Sequence, residues 1–63
     1  MGLKLQIESP PEALPEGWSW GIIIREPNMR CHCLLHGESD AIYIEAGSLP
    51  ELAAMAQRRL LAT

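Results

Sequence analysis

Residues 18–45 read as three consecutive β-strands with apolar side chains on both faces, and only one helix follows to cover them. Successive strand side chains point to opposite faces. Continuous alternation puts Trp18, Trp20, Ile22 and Ile24 on one face, joined by Cys31, Cys33 and Leu35 and then by Ile42 and Ile44. The other face receives Ile23, Leu34 and Tyr43. One helix shields one face of a small sheet. The second face must meet water, the N-terminal segment, a second copy of the chain or a foreign partner.

The elements follow from local pattern. Leu3, Leu5 and Ile7 alternate with Lys4, Gln6 and Glu8, which gives an N-terminal strand over residues 1–8. Residues 9–17 hold Pro10, Pro11 and Pro15 and end in Gly17, so they form an extended connector. A three-stranded meander fills 18–45. Its first turn is Glu26-Pro27-Asn28 and its second is Gly37-Glu38-Ser39-Asp40. With Pro27 and Asn28 central to the first turn, Ile24 faces Cys31, Ile22 faces Cys33 and Trp20 faces Leu35. That register keeps one apolar face whole. A two-residue type I′ turn, however, needs φ > 0 where proline forbids it.

The hydrophobic period then changes from 2 to 3.6, and a helix is expected over 48–62. Ser48 and Glu51 make a capping box, Pro50 lies in the first turn, and Arg58 and Arg59 suit the C-terminal end of the helix dipole. Leu49, Leu52, Ala53, Ala56 and Leu60 share a face, while Met55 and Leu61 fall off it. The expected fold class is α+β: a small antiparallel sheet, made of the meander plus the N-terminal strand, packed on one C-terminal helix in a single domain over 1–63.

Size and charge narrow the function classes. A 63-residue domain buries only about 60% of its unfolded surface, and scaffolds this small often add a disulfide, a metal or an oligomer. Net charge is −3, from five Lys and Arg against eight Asp and Glu, whereas general nucleic-acid binders carry basic patches. The apolar run Ile22–Ile24, like Ala41–Ile44, is far short of a membrane span, and no export signal opens the sequence. Two cysteines without such a signal fit the reducing cytoplasm, and the initial Met fits a near-complete reading frame.

Cys31-His32-Cys33 and His36 invite a zinc reading, since zinc takes Cys and His ligands. Strand alternation sends Cys31 and Cys33 to the helix side and both histidines to the other. The histidines lie roughly 13 Å apart along the strand. Buried core thiols explain the cysteines better, so no metal and no cofactor is expected. His32 beside Glu45 could be an oriented base, but no nucleophile, Gly-rich phosphate loop or nucleophile elbow accompanies it. No enzyme activity is expected.

The outer face remains. Continuous alternation gives it Ile23, Leu34 and Tyr43 together with Arg25, Arg30 and His32, and these six are the candidate partner-binding residues. Arg25 and Arg30 would then repel each other across the first turn unless an anion such as Glu26 intervenes. From about Trp18 onward, the order of three strands and a helix is similar to the arm-binding domains of tyrosine recombinases and the plant AP2-type domains. That resemblance implies a sheet face that reads DNA. The expected function is non-catalytic protein binding or regulation through the sheet face or edge, with another protein or a second copy as partner. Small size and acidity suit a phage- or mobile-element-encoded inhibitor. The alternatives are a nucleic-acid-binding module using the outer face and a small zinc-binding protein.

Overall fold

The computed structural model describes residues 4–61, so Leu3 and the expected last helical residue, Ala62, lie outside the described residues. The fold class is the expected one: an antiparallel sheet of five strands with one C-terminal helix. The strands are β1 (Gln6–Glu8), β2 (Ser19–Trp20), β3 (Ile23–Arg25), β4 (Cys31–His36) and β5 (Ala41–Ala46), followed by α1 (Leu49–Leu61). In space β2 and β3 lie end to end along one side of β4, β5 flanks its other side, and β1 pairs with β3.

Two local features set which residues face α1, and both depart from the continuous alternation expected of residues 18–25. The first is the turn between β3 and β4. The Glu26 carbonyl accepts from the Met29 N–H at 2.8 Å, and the Glu26 N–H donates to the Arg30 carbonyl at 2.9 Å. Pro27, Asn28 and Met29 therefore form a three-residue loop, a tight turn followed by Met29 at φ 75°. Asn28 Oδ1 accepts from the Arg30 N–H at 3.1 Å. Pro27 can occupy the first central position of such a turn, where its fixed φ is an asset, and the positive φ falls on Met29. The longer loop moves the pairing by one residue, so Ile24 faces His32 and Arg25 faces Cys31.

The second feature is a β-bulge that reverses the shift. Trp20 faces Leu35 and Ser19 faces His36, as the original alternation had it. Between the two registers Gly21 and Ile22 both stand against Leu34, two residues opposite one. The Gly21 N–H donates to the Leu34 carbonyl at 2.7 Å. A Cβ on Gly21 would lie 2.6 Å from that same oxygen, so the close approach requires glycine.

The consequence is a correction of two candidate site residues. Ile23 turns to the helix side and is 1% exposed, at the centre of the core with Cys31, Cys33 and Leu35. Arg25 turns the same way, to the sheet edge. Its Nε lies 2.9 Å from Glu8 Oε2, and its guanidinium also donates to Gln6 Oε1. The expected Arg25–Arg30 repulsion does not arise, because the two arginines belong to opposite faces. Ile22 is 67% exposed, and Ile24 lines the outer face.

The β4–β5 pairing is as read from sequence: Leu35 faces Ile42, Cys33 faces Ile44 and His32 faces Glu45. Its turn closes through the Gly37 N–H and the Asp40 carbonyl at 2.8 Å. The Trp18 ring lies over Gly37, where a Cβ would come within 2.9 Å of it.

The helix docks by the expected stripe. Leu52, Ala53, Ala56 and Leu60 are buried, Leu49 is partly buried, and the small alanines allow close approach to the sheet. Met55, expected off this stripe, is partly buried against the core; Leu61 is exposed. Ser48 caps the helix: its Oγ accepts from the Glu51 N–H at 3.3 Å, and its hydroxyl donates to Glu51 Oε1 at 3.0 Å. The proline-rich connector packs on this same layer. Leu14 contacts the core, the Trp20 indole N–H donates to the Glu12 carbonyl, and Gln57 donates to the Ala13 carbonyl at 2.9 Å.

Candidate functional site

Because α1 and the connector both lie on one side, the opposite face of the sheet carries no cover among the described residues. The described part of the N-terminal strand does not fold across it. β1 lies in the plane of the sheet as an edge strand, with Ile7 facing Ile24. It enlarges the outer face, adding Ile7 and, continuing the alternation, Leu5. Both are exposed, Ile7 at 75%.

Three rows cross this face. Ile22, Leu34 and Tyr43 form the central row, from the bulge through β4 to β5. Ile7, Ile24, His32 and Glu45 form the next, toward the first turn. Ser19, His36 and Ala41 close the opposite end. A shallow groove of about 430 Å³ opens across these rows, lined by Ile22, Ile24, His32, Leu34, His36 and Tyr43, with Cys33 also reaching it. Of the six residues expected here, the structure brings together Leu34, Tyr43, Arg30 and His32. It adds Leu5, Ile7, Ile22 and Ile24 in place of Ile23 and Arg25.

Those added residues left a trace in the sequence. A glycine inside a strand pattern is a bulge signal, and Pro27 was incompatible with the two-residue loop. Either one moves the alternation by a residue and exchanges Ile23 for its neighbours.

The charged groups sit at the first-turn end and satisfy one another. His32 Nε2 lies 3.0 Å from Glu26 Oε2, and Arg30 lies 3.5 Å from Glu45 Oε1. The Tyr43 hydroxyl donates to Glu45 Oε2 at 3.4 Å, and the His32 and Tyr43 rings stand 6.1 Å apart at 44°. Partial withdrawal from water raises the Tyr43 phenol above its ordinary value, and the Glu45 and Glu26 carboxylates add to this against Arg30. It stays protonated and keeps its hydroxyl as a donor.

The cysteines belong to the other side. Both are buried and free, and Cys31 Sγ donates to the Met29 carbonyl at 3.7 Å. Burial pushes both thiols up, helped at Cys31 by Glu8 and at Cys33 by Cys31. A raised thiol is the opposite of an activated nucleophile or a ready metal ligand. Among the described residues no three His, Cys, Asp or Glu side chains gather as a metal site, and no helix is long and apolar enough to cross a membrane. No family model, no curated protein and no solved structure matches this chain.

Proposed function

We propose that this chain is a non-catalytic docking protein of the regulatory, inhibitor-like kind, and that it engages a protein partner through the sheet face opposite α1. One observation carries the reading: Ile7, Ile22, Leu34 and Tyr43 lie exposed on a single face with no described segment over them, and continued alternation places exposed Leu5 beside them. Contiguous apolar patches of this kind mark interaction surfaces. A flat strand-built platform, an aromatic and a satisfied polar margin are the usual anatomy of such a surface. Tyr43 supplies a large, rigid contact area, its hydroxyl donating to Glu45.

Nucleic-acid binding finds less support from the same geometry. Arg25 belongs to the helix side and pairs with Glu8, while Arg30 already faces Glu45. A phosphate backbone would have to displace those carboxylates.

The test is capture of a specific partner by immobilised protein. Leu34→Asp and Tyr43→Asp place a charge on the face without touching the core. Each is expected to retain the wild-type circular dichroism spectrum and lose the captured protein. Leu61→Asp, on the exposed side of the helix, is expected to retain both. Equal capture by all four proteins would refute the choice of face.

A further inference from the structure

We infer that the occupant of the outer face is a second copy of this chain, so that two sheets stack face to face with their helices outward. The inference rests on the docking-face reading above and adds the identity of the partner. Area and charge both lead to it.

Area comes first. At 43% exposure for Leu34 up to 75% for Ile7, the five apolar side chains leave on the order of 500 Å² of contiguous surface in water. With the flanking Ile24, His32, His36 and the paired charges, the face approaches the roughly 800 Å² that each partner gives to a standard interface. One copy placed on another would therefore bury an area that a stable dimer needs. It would also supply the second apolar layer that a 63-residue chain with one helix lacks. Sheets packed at about 10 Å interdigitate side chains of this size.

Charge fits the same solution. A two-fold contact lays the same patch against itself, so an unpaired charge near the axis would meet its own kind. On this face Arg30 is held by Glu45 and His32 by Glu26, inside one copy. The cluster lies toward one end of the sheet and meets the central row of Ile22, Leu34 and Tyr43 at Tyr43, whose hydroxyl donates to Glu45. The patch is thus self-compatible, because the ionisable side chains Arg30, Glu45, His32 and Glu26 are already contacted inside their own copy.

Sedimentation equilibrium from about micromolar to about millimolar chain tests this. The expected result is a monomer–dimer equilibrium whose dissociation constant rises by about a hundredfold in Leu34→Asp and in Tyr43→Asp, since each substitution enters the contact twice. Leu61→Asp should leave the constant unchanged. Circular dichroism checks each variant, and Tyr43→Asp, at 55% exposure, answers the question if Leu34→Asp fails to fold. A dimer that survives both face substitutions overturns the inference and moves the contact to the open edge of β5 or to α1. A monomer at every concentration overturns it too. In that case a hydrophobic dye decides the reading beneath it: dye bound by the wild type and lost in Leu34→Asp leaves the docking face standing, and no dye binding removes both.

Discussion

Deleting one isoleucine from the run Ile22–Ile24 should leave the fold intact. Gly21 and Ile22 together oppose Leu34, so one residue of this stretch is surplus to the ladder. Without it, Trp20 still faces Leu35, Gly21 faces Leu34, and the two remaining isoleucines face Cys33 and His32. The first of them fills the core position of Ile23 and the second the outer position of Ile24. The side chain removed is in effect Ile22, 67% exposed. Full burial of an isoleucine stabilises by about 1.5–3 kcal/mol, so the third that is buried is worth under about 1 kcal/mol. One residue fewer to order offsets this by about 1–2 kcal/mol. The net change should lie within about 1 kcal/mol of zero, read as a urea midpoint. Two-dimensional NMR should show the Trp20–Leu35 and Ile24–His32 cross-strand contacts together. A regular ladder without a bulge makes the opposite prediction. There the deletion slips one end of the strand by a residue and turns its core side chains to solvent. The loss would then rival the roughly 3–9 kcal/mol total stability of a chain this size. An unfolded deletion variant, or a loss above about 3 kcal/mol, would refute the bulge.

Other perturbations test other parts of the argument. Met29→Gly removes a side chain from φ 75° and should raise the urea midpoint by the equivalent of about 0.5–1 kcal/mol; a fall would mean that the Met29 contact with Arg25 outweighs the strain. Ile23→Ala should cost about 2–5 kcal/mol and Ile22→Ala under about 1 kcal/mol; reversal of that order would restore the continuous alternation. Ser48→Ala should cost about 1 kcal/mol through loss of the helix cap, visible as a lower thermal midpoint. The thiols predict an alkaline limit. Folding raises both above their ordinary value of 9.0, so the unfolded chain loses its thiol protons first. Their contribution is complete below pH 9.0 and is lost as pH rises through the folded values. Urea midpoints should fall above pH 9, and the slope should shrink in Cys31→Ala with Cys33→Ala; an unchanged slope would assign it to other groups.

The sequence by itself determined the helix and the order of strands and helix, but not the break that divides residues 18–25 into β2 and β3. Apolar period 2 gave strands, the change to 3.6 after Gly47 gave the helix, and Ser48 marked its start through a hydrogen bond only three residues long. The β4–β5 pairing was legible because both strands alternate without interruption and a short turn joins them. Leu34, Tyr43, Arg30 and His32 could be placed on the outer face for the same reason. Ile22, Ile23, Ile24 and Arg25 could not. Alternation has period 2, so one extra residue inverts every assignment beyond it, and three isoleucines in a row fit either phase equally well. What resolved them was Pro27, which lengthens the turn, and the Gly21 N–H on the Leu34 carbonyl, which absorbs the surplus residue. The position of β1 was likewise a tertiary matter. Leu5 and Ile7 have an apolar side in any location, and only pairing with β3 lays that side beside Ile24 instead of across it. The sequence established that apolar surface exceeded its cover; the offset of the turn and the bulge decided which residues form that surface, because facing depends on backbone registry between strands distant in sequence.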